Sequence, residues 1–323
     1  MLFSIITSPH PTPSMSSNQP VALFFNNFWN GFLERTDSMD CIFFLTLFEK
    51  VFKGPVCIAS SPDEATILIE SIFGENTYLY YKKWRSTFLF TGETHYCNSP
   101  HVSKFDCVLG VEETNGIYVQ CPLYLLFLQS NPEILDQLIP PDEKTIPPTV
   151  ASAVITCAHG EERLRFMDRI EQHMPVFYGG KHKNNVGEPV PGRFNSPELI
   201  KFYQRGKFAI TMENSYRPYY ITEKLVNGLR SGVVPVYWGT SRVKEFFNPK
   251  RFLHLKPGAT EEDISEMIKR MKSMTDEEYL SIIHEPIMIR SMEDVMNEIS
   301  ESIRKRLTAL TFDVVYVSPS SSD

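Results

Sequence analysis

Short β-branched and aromatic runs alternate with amphipathic helical stretches along most of the chain. After residue 149 the alternation is regular, and it predicts strand Val150–Thr156, helix Glu162–His173, strand Val176–Tyr178, helix Pro197–Arg205, strand Phe208–Met212, helix Thr222–Ser231 and strand Val233–Tyr237. Such alternation is typical of parallel sheets covered by helices on both faces. We therefore expect a doubly wound α/β domain in the second half.

The first half shows the same alternation less regularly. Its predicted elements are strands Val21–Phe25, Val56–Ala59, Thr66–Ile69, Thr87–Phe90 and Cys107–Gly110 and helices Cys41–Val51 and Pro122–Gln129. Between the halves, the ten residues Ile139–Pro148 include four prolines, a composition that suits a semi-rigid connector. We predict two Rossmann-like domains, 21–140 and 150–310, that face each other across a cleft.

The two ends of the chain follow other patterns. Apolar residues at helical spacing predict a last helix over Met292–Leu310. Its basic run, Arg304 to Arg306, suits the negative C-terminal end of a helix and indicates packed structure. We expect residues 1–20 to form a loose leader and residues 311–323 a tail.

Composition excludes two kinds of partner. Thirty-two basic against thirty-nine acidic side chains give a formal net charge of −7, the wrong sign for a protein that binds nucleic-acid phosphates. The longest predominantly apolar run, Cys41–Phe48, is far shorter than the ~20 residues that cross a bilayer. The six cysteines form no C-x-x-C pair and no N-glycosylation site is present, so we expect a reducing, cytoplasmic location.

Several familiar catalytic motifs are missing from the sequence. It contains no P-loop, no G-x-G-x-x-G after a strand, no G-x-S-x-G and no H-E-x-x-H. These absences weaken an assignment as an ATPase, a dehydrogenase, an α/β-hydrolase or a zinc protease. The function must therefore be inferred from other polar clusters.

The densest polar cluster follows the predicted strand Phe208–Met212. It consists of Glu213-Asn214-Ser215, then Tyr219-Tyr220-Ile221-Thr222-Glu223-Lys224, then the segment from Gly232 to Gly239. Thr222 is placed to cap a helix, and free amides at a helix start beside a cation can bind a diphosphate. A neighbouring carboxylate can accept two ribose hydroxyls. Taken alone, these residues are more typical of an ordinary helix cap with a solvated lysine.

This three-part cluster resembles the nucleotide-sugar signature of the α1,3-fucosyltransferases: an aromatic-Glu-Asn-Ser, a Tyr-[Val/Ile]-Thr-Glu-Lys and a G-x-x-P-[VI]-x-[WY]-G. Other stretches fall in the family's order, namely Phe28-Trp29, Ser60 to Asp63, Phe73-Gly74, Phe90 to Glu93, Arg163-x-x-Phe166 and Gly179-Gly180. The resemblance covers about Val21 to Leu310. It implies the GT-B arrangement, in which the first domain binds the acceptor and the second binds GDP-fucose.

The resemblance also implies roles for single residues. Glu93, in Phe-Thr-Gly-Glu, takes the position of the general base. Arg163 and Lys224 take the positions of the cations that bind the diphosphate, with Arg165 as the competitor of Arg163 because one turn of register would exchange them. The remaining donor-binding positions are Glu223, for the ribose, and Asn214 and Tyr220.

The implied reaction is transfer of L-fucose from GDP-fucose to a GlcNAc-containing oligosaccharide or glycoconjugate, with inversion and α1,3 linkage. No cofactor is expected, and the irregular spacing of His95, Cys97 and His101 argues against a metal site, although weak divalent-cation stimulation would fit the family. Three alternatives stay open: another nucleotide-sugar transferase on the same fold, a catalytically silent sugar-binding protein, and a structural interaction protein.

Overall fold

A computed structural model describes residues 20–33, 39–75, 78–94, 101–129, 146–156, 158–192 and 196–316. Four of the features predicted above lie outside these ranges in whole or in large part: the leader up to residue 19, most of the proline-rich connector, the pair His95 and Cys97, and residues 317–323 of the tail. The predicted domain boundaries therefore stay a prediction, while the folds of the two halves are observed.

The first half folds into one parallel sheet. Its strands in chain order are β1 (Val21–Asn26), β2 (Val56–Ile58), β3 (Ile67–Glu70), β4 (Ser86–Thr91), β5 (Cys107–Gly110) and β6 (Tyr118–Gln120). In space they follow the order β2-β1-β3-β4-β5-β6. Every residue of β3, β4 and β5 is buried, because apolar clusters cover both faces of the sheet.

The second half forms another parallel sheet. Its strands are β7 (Ala151–Ala153), β8 (Val176–Tyr178), β9 (Phe208–Ile210), β10 (Val234–Trp238) and β11 (Leu253–Leu255). They lie in the order β11-β10-β9-β7-β8. The two parallel sheets, with their covering helices, confirm the predicted doubly wound α/β class.

Helices cover the two sheets. In chain order they are α1 (Met39–Phe52), α2 (Tyr124–Gln129), α3 (Glu161–Glu171), α4 (Pro197–Tyr203), α5 (Glu223–Arg230), α6 (Glu261–Ser273), α7 (Asp276–Ile283) and α8 (Met292–Tyr316). The Oγ1 atom of Thr260 accepts the N–H of Asp263 at the start of α6, which closes a capping box. Across the described ranges, no helix combines the length and the apolar character needed to cross a membrane.

Helix α8 returns from the second half to the first sheet. Its buried apolar residues join the cluster that contains β1, β3 and α1: Val295, Met296, Ile299 and Ile303. The sequence assigned this helix to the second domain because it follows that domain in the chain. Its apolar face finds its partners in the first half, against α1, so the last helix completes the first core.

The basic run of α8 lies inside the helix and not at its end, because the helix continues past the predicted end at Leu310. The Nη1 atom of Arg304 donates to the carbonyl of Lys50, at 2.5 Å. The Nε atom of Arg306 donates to the carbonyl of Asp106, at 2.8 Å. These arginines therefore attach α8 to the first half. The prediction that the basic run lies at the negative C-terminal end of the helix is wrong, because the helix continues beyond it.

Both sheets reverse their strand order at their first strand. Strand β1 lies between β2 and β3, and β7 lies between β8 and β9. Connections that leave such a strand to opposite sides open a crevice at the carboxyl ends of the strands, where ligands bind in doubly wound folds. The residues that follow β1, β3, β7 and β9 are therefore positioned for ligand contact.

Candidate active site between the two sheets

A cleft of about 310 Å³ lies between loops of the two halves. Glu93, in the loop after β4, lines it from the first half. The loop after β9 and the start of α5 line it from the second half, with Asn214, Tyr220, Glu223 and Lys224. The structure thus brings together the predicted base and four of the predicted donor-binding residues.

Backbone hydrogen bonds between the halves hold the two walls together. The N–H of Tyr219 donates to the carbonyl of Val111 at 2.8 Å, and the N–H of Tyr124 donates to the carbonyl of Ile221 at 2.9 Å. The loop between β9 and α5 is therefore attached to the carboxyl-end loops of the first sheet. Because both bonds join backbone groups, the distance that they set between the two walls of the cleft does not depend on the identity of the side chains.

Glu93 is half-buried and lies directly after Gly92. The adjacent Thr94 accepts a hydrogen bond at its carbonyl from the Nε atom of Arg217, at 3.2 Å, which ties this loop to the second half. Burial raises the pKa of the Tyr220 hydroxyl, and nearby carboxylates, Glu93 among them, raise it further. The Tyr220 hydroxyl therefore keeps its proton and donates to the Oδ1 atom of Asn214 at 3.0 Å.

Beneath the start of α5 lies Glu213, a carboxylate with no exposed surface. Its Oε1 atom accepts the N–H of Thr222 at 2.9 Å, and its Oε2 atom accepts the Thr222 hydroxyl at 2.8 Å. The same Oε2 atom lies 3.3 Å from Nζ of Lys224. Burial raises the pKa of Glu213, and the ammonium of Lys224 opposes that rise. Glu213 therefore fixes both the helix cap and the cation beside it.

Lys224 supplies a positive charge at the N-terminal end of α5. Its Nζ atom lies 3.3 Å from Oε1 of Glu223 and donates to the Thr222 hydroxyl oxygen at 3.1 Å. Burial by itself would lower the pKa of Lys224, but the carboxylates of Glu223 and Glu213 outweigh it and hold the pKa above its ordinary value. The ammonium and the helix dipole together favour an anion at this end of the cleft.

Arg163 lies in the first turn of α3 and does not line the cleft. Its guanidinium is 3% exposed and donates to the carbonyl of His159. A Cβ atom on Gly160 would lie 2.6 Å from the carbonyl oxygen of Asn214, and Gly160 has a φ of 85°. Only glycine suits this close approach, which brings the start of α3 against the donor loop. Arg165 instead donates to the carbonyl of Ala259, away from that loop.

Some residues of the cleft were not assigned a role from the sequence. Glu213 belongs to the signature but was given no role of its own. Its position directly after the predicted strand Phe208–Met212 was the signal that it could organise the site. The first-half wall is largely aromatic, formed by Trp29, Phe73, Phe90 and Phe127. These four residues come from two loops, strand β4 and helix α2, so no single stretch of sequence shows that they meet.

Known proteins share both the signature and the fold. Residues 143–284 match the C-terminal domain of glycosyltransferase family 10, described as fucosyltransferase. The second half of the chain thus resembles a glycosyltransferase family 10 domain. The resemblance stated from the sequence motifs is therefore confirmed for this half.

The curated proteins that this chain resembles include one from a virus and one from a bacterium. The R654 protein of Acanthamoeba polyphaga mimivirus, a candidate fucosyltransferase by its name, is 34% identical over 164 residues, which are 48% of this chain and 27% of that protein. The α-(1,3)-fucosyltransferase FucT of Helicobacter pylori is 22% identical over 304 residues, 83% of this chain and 60% of the relative. The chain thus spans less than two thirds of either relative.

Solved structures match over both halves. An α1,3-fucosyltransferase crystallised with GDP gives a TM-score of 0.67 at 19% identity, over 93% of this chain and 94% of that one. Its complex with GDP-fucose gives a TM-score of 0.63 at 20% identity, over 94% of each chain. At these identities the likeness concerns the fold, and it confirms the predicted GT-B arrangement of two domains.

Proposed function

We propose that this protein is an inverting α1,3-fucosyltransferase that moves L-fucose from GDP-fucose to a hydroxyl of a GlcNAc-containing glycan. One observation carries the proposal: a carboxylate of the first half, Glu93, and a cationic helix start of the second half, at Lys224, line the same cleft. The names of the relatives support the donor and the linkage.

The chemistry of the proposed reaction suits a carboxylate opposite a cationic helix start. The acceptor hydroxyl oxygen forms a bond to the anomeric carbon of fucose while the bond from that carbon to the phosphate oxygen breaks. The bonding electron pair leaves with GDP, and the hydroxyl proton passes to the carboxylate of Glu93. Because base and leaving group lie on opposite sides of the sugar, the configuration inverts, as in inverting glycoside hydrolases.

The departing GDP needs stabilisation of its developing negative charge. Lys224 and the first turn of α5 would provide it in the cleft, and Glu223 would accept the ribose hydroxyls. Asn214 and Tyr220 complete the proposed donor contacts. The predicted role of Arg163 is not part of this set, because its buried side chain donates to the carbonyl of His159 and does not line the cleft. With this charge in place, no cofactor is required in the proposed mechanism, although weak stimulation by a divalent cation is compatible with it.

A cytoplasmic location is the last part of the proposal. It rests on the absence of N-glycosylation sites and of C-x-x-C pairs in the sequence. Four cysteines in the described ranges, Cys41, Cys57, Cys107 and Cys121, are free thiols, which is compatible with a reducing compartment.

The test is release of GDP from GDP-fucose by the purified chain, with and without N-acetyllactosamine and with a chelator present. We expect acceptor-dependent release, which Glu93→Gln lowers by ~10²–10³-fold while GDP binding persists. The matched control is Glu64→Gln, which removes an exposed carboxylate of the same half and leaves turnover unchanged.

Other outcomes would assign the chain differently. Failure to bind GDP-fucose would refute the proposal. Saturable donor binding without transfer to any sugar would indicate a catalytically silent binding protein. Preference for another sugar nucleotide in competition would indicate another transferase on this fold, and full turnover by Glu93→Gln would exclude Glu93 as the base.

A further inference from the structure

The first-half wall of the cleft contains an aromatic pair that the proposed chemistry does not use. Phe73 and Trp29 lie on different loops, their ring centroids are 6.2 Å apart, and their planes meet at 88°. Phe73 is 56% exposed although it is a large apolar side chain. Both residues line the same cleft as Glu93. An exposed aromatic ring in a cleft is a common feature of sites that bind ligands with an apolar face.

Hydrogen bonds hold the loops that carry these rings. The N–H of Phe73 donates to the carbonyl of Asn27 at 3.0 Å. The Nδ2 atom of Asn27 donates to the Oε2 atom of Glu70 at 2.9 Å and to the carbonyl of Glu75 at 2.6 Å. A Cβ atom on Gly74 would lie 2.2 Å from the Oδ1 atom of Asn27, so a larger residue would displace the side chain that makes these bonds. The aromatic pair is therefore rigidly supported.

A buried carboxylate, that of Glu70, also supports these loops, at the place where the first sheet reverses its strand order. Glu70 has no exposed surface, and its Oε2 atom accepts hydrogen bonds from Asn26 and Asn27. Among the described residues, its Oε1 atom has no hydrogen-bond partner. Burying an unpaired carboxylate oxygen is unfavourable, so apolar packing alone would not place it here. Its position directly behind the loops of Trp29 and Phe73 suits a residue that orients them.

The charges of the cleft divide it into two parts. Among the described residues that line it, Lys224 carries the positive charge, and it lies in the second-half wall beside the carboxylate of Glu223. The first-half wall offers aromatic rings and the carboxylate of Glu93. The ammonium of Lys224 and the N-terminal end of α5 favour a diphosphate in the second part, whereas the carboxylate of Glu93 disfavours one in the first. A neutral pyranose fits the first part, because its C–H face packs against aromatic rings while a hydroxyl reaches the carboxylate.

We propose that Phe73 and Trp29 form the acceptor subsite and bind the apolar face of a neutral pyranose, whose attacking hydroxyl then lies at Glu93. This inference rests on the proposed function, because it assigns the acceptor of the same reaction. It also defines the class of acceptor: a neutral sugar with an exposed C–H face, in preference to an anionic sugar that the carboxylate of Glu93 would repel.

The experiment measures steady-state kinetics of Phe73→Ala with N-acetyllactosamine and GDP-fucose varied in turn. We expect the KM for N-acetyllactosamine to rise about tenfold, with the KM for GDP-fucose and its slow hydrolysis unchanged. Phe73→Tyr keeps the ring and should restore the wild-type KM. Tyr80→Ala is the control, because Tyr80 is a 74% exposed aromatic residue of the same half that lies outside the cleft lining.

The outcomes separate this inference from the proposed function. If the wild type neither binds nor hydrolyses GDP-fucose, the proposed function fails. If the wild type transfers fucose but Phe73→Ala leaves the acceptor KM unchanged, or raises only the donor KM, the subsite assignment is overturned while the function stands. Donor hydrolysis without stimulation by any neutral sugar would also overturn the assignment, since no neutral acceptor would then be bound.

Discussion

Replacing Glu213 by alanine tests whether the buried carboxylate organises the start of α5. The change removes the acceptor of two Thr222 hydrogen bonds, at 2.9 and 2.8 Å, and the partner of Lys224 at 3.3 Å. Hydrogen bonds to a charged group contribute roughly 1.5–3 kcal/mol each, and breaking a buried ion pair costs roughly 3–5 kcal/mol. These contributions overlap, so we expect Glu213→Ala to lower the free energy of unfolding by about 3–5 kcal/mol.

The chain contains a matched control at the start of α6. There the Oδ2 atom of Asp263 accepts the N–H of Thr260 at 2.8 Å and its hydroxyl at 3.0 Å, the same pair of bonds in an exposed setting. Loss of an exposed helix cap typically costs about 1 kcal/mol. Asp263→Ala is therefore expected to be much milder than Glu213→Ala, although the hydrogen-bond chemistry is the same.

Urea unfolding of the two variants and the wild type measures this difference, with GDP affinity from calorimetry as the second readout. We expect weakened GDP binding for Glu213→Ala, because Lys224 loses one of the two carboxylates that hold it, and unchanged binding for Asp263→Ala. Equal losses of stability in the two variants would refute the reasoning, since burial would then add nothing to the effect of the carboxylate.

Three further predictions concern other charged groups. Burial raises the pKa of Glu70 from 4.5 to about 7, so between these two pH values folding takes up a proton. The free energy of unfolding therefore falls by about 3 kcal/mol as the pH rises from 4.5 to about 7. Urea unfolding at pH 5 and 8 measures this decline, which Glu70→Gln should lack. Lys224→Ala should lower kcat by ~10²–10³-fold in the GDP-release assay, because the leaving group loses its cation. Arg304→Ala should lower the unfolding free energy by about 1 kcal/mol and leave kcat unchanged, since its bond to Lys50 joins two helices and neither residue lines the cleft.

The sequence predicts the parts of this fold whose signals are local. Strands Cys107–Gly110 and Val176–Tyr178 lie where expected, because short apolar runs are typical of parallel strands that are covered on both faces. Strands β6 and β11 were not predicted, because the polar side chains of Gln120 and His254 end or interrupt their short apolar runs. Helix α7 was also not predicted, although Thr275 caps it.

The same distinction applies to the site. The donor residues from Asn214 to Lys224 are contiguous, so a motif reveals them together. The aromatic wall depends on loops that meet only in the folded chain: the N–H of Phe73 donates to a carbonyl more than forty positions earlier in the sequence, that of Asn27. The burial of Glu70 likewise results from how those loops pack, which spacing along the chain does not encode.

The return of α8 to the first sheet affects the order in which the two cores form during synthesis. Domains generally fold from the N-terminus onward as the ribosome delivers them. Here Val295, Ile299 and Ile303 belong to the first core but follow every strand of both sheets in the chain. The nascent first half must therefore keep an apolar face uncovered until the second half has been made. Chaperone binding to nascent chains should consequently persist until α8 has emerged.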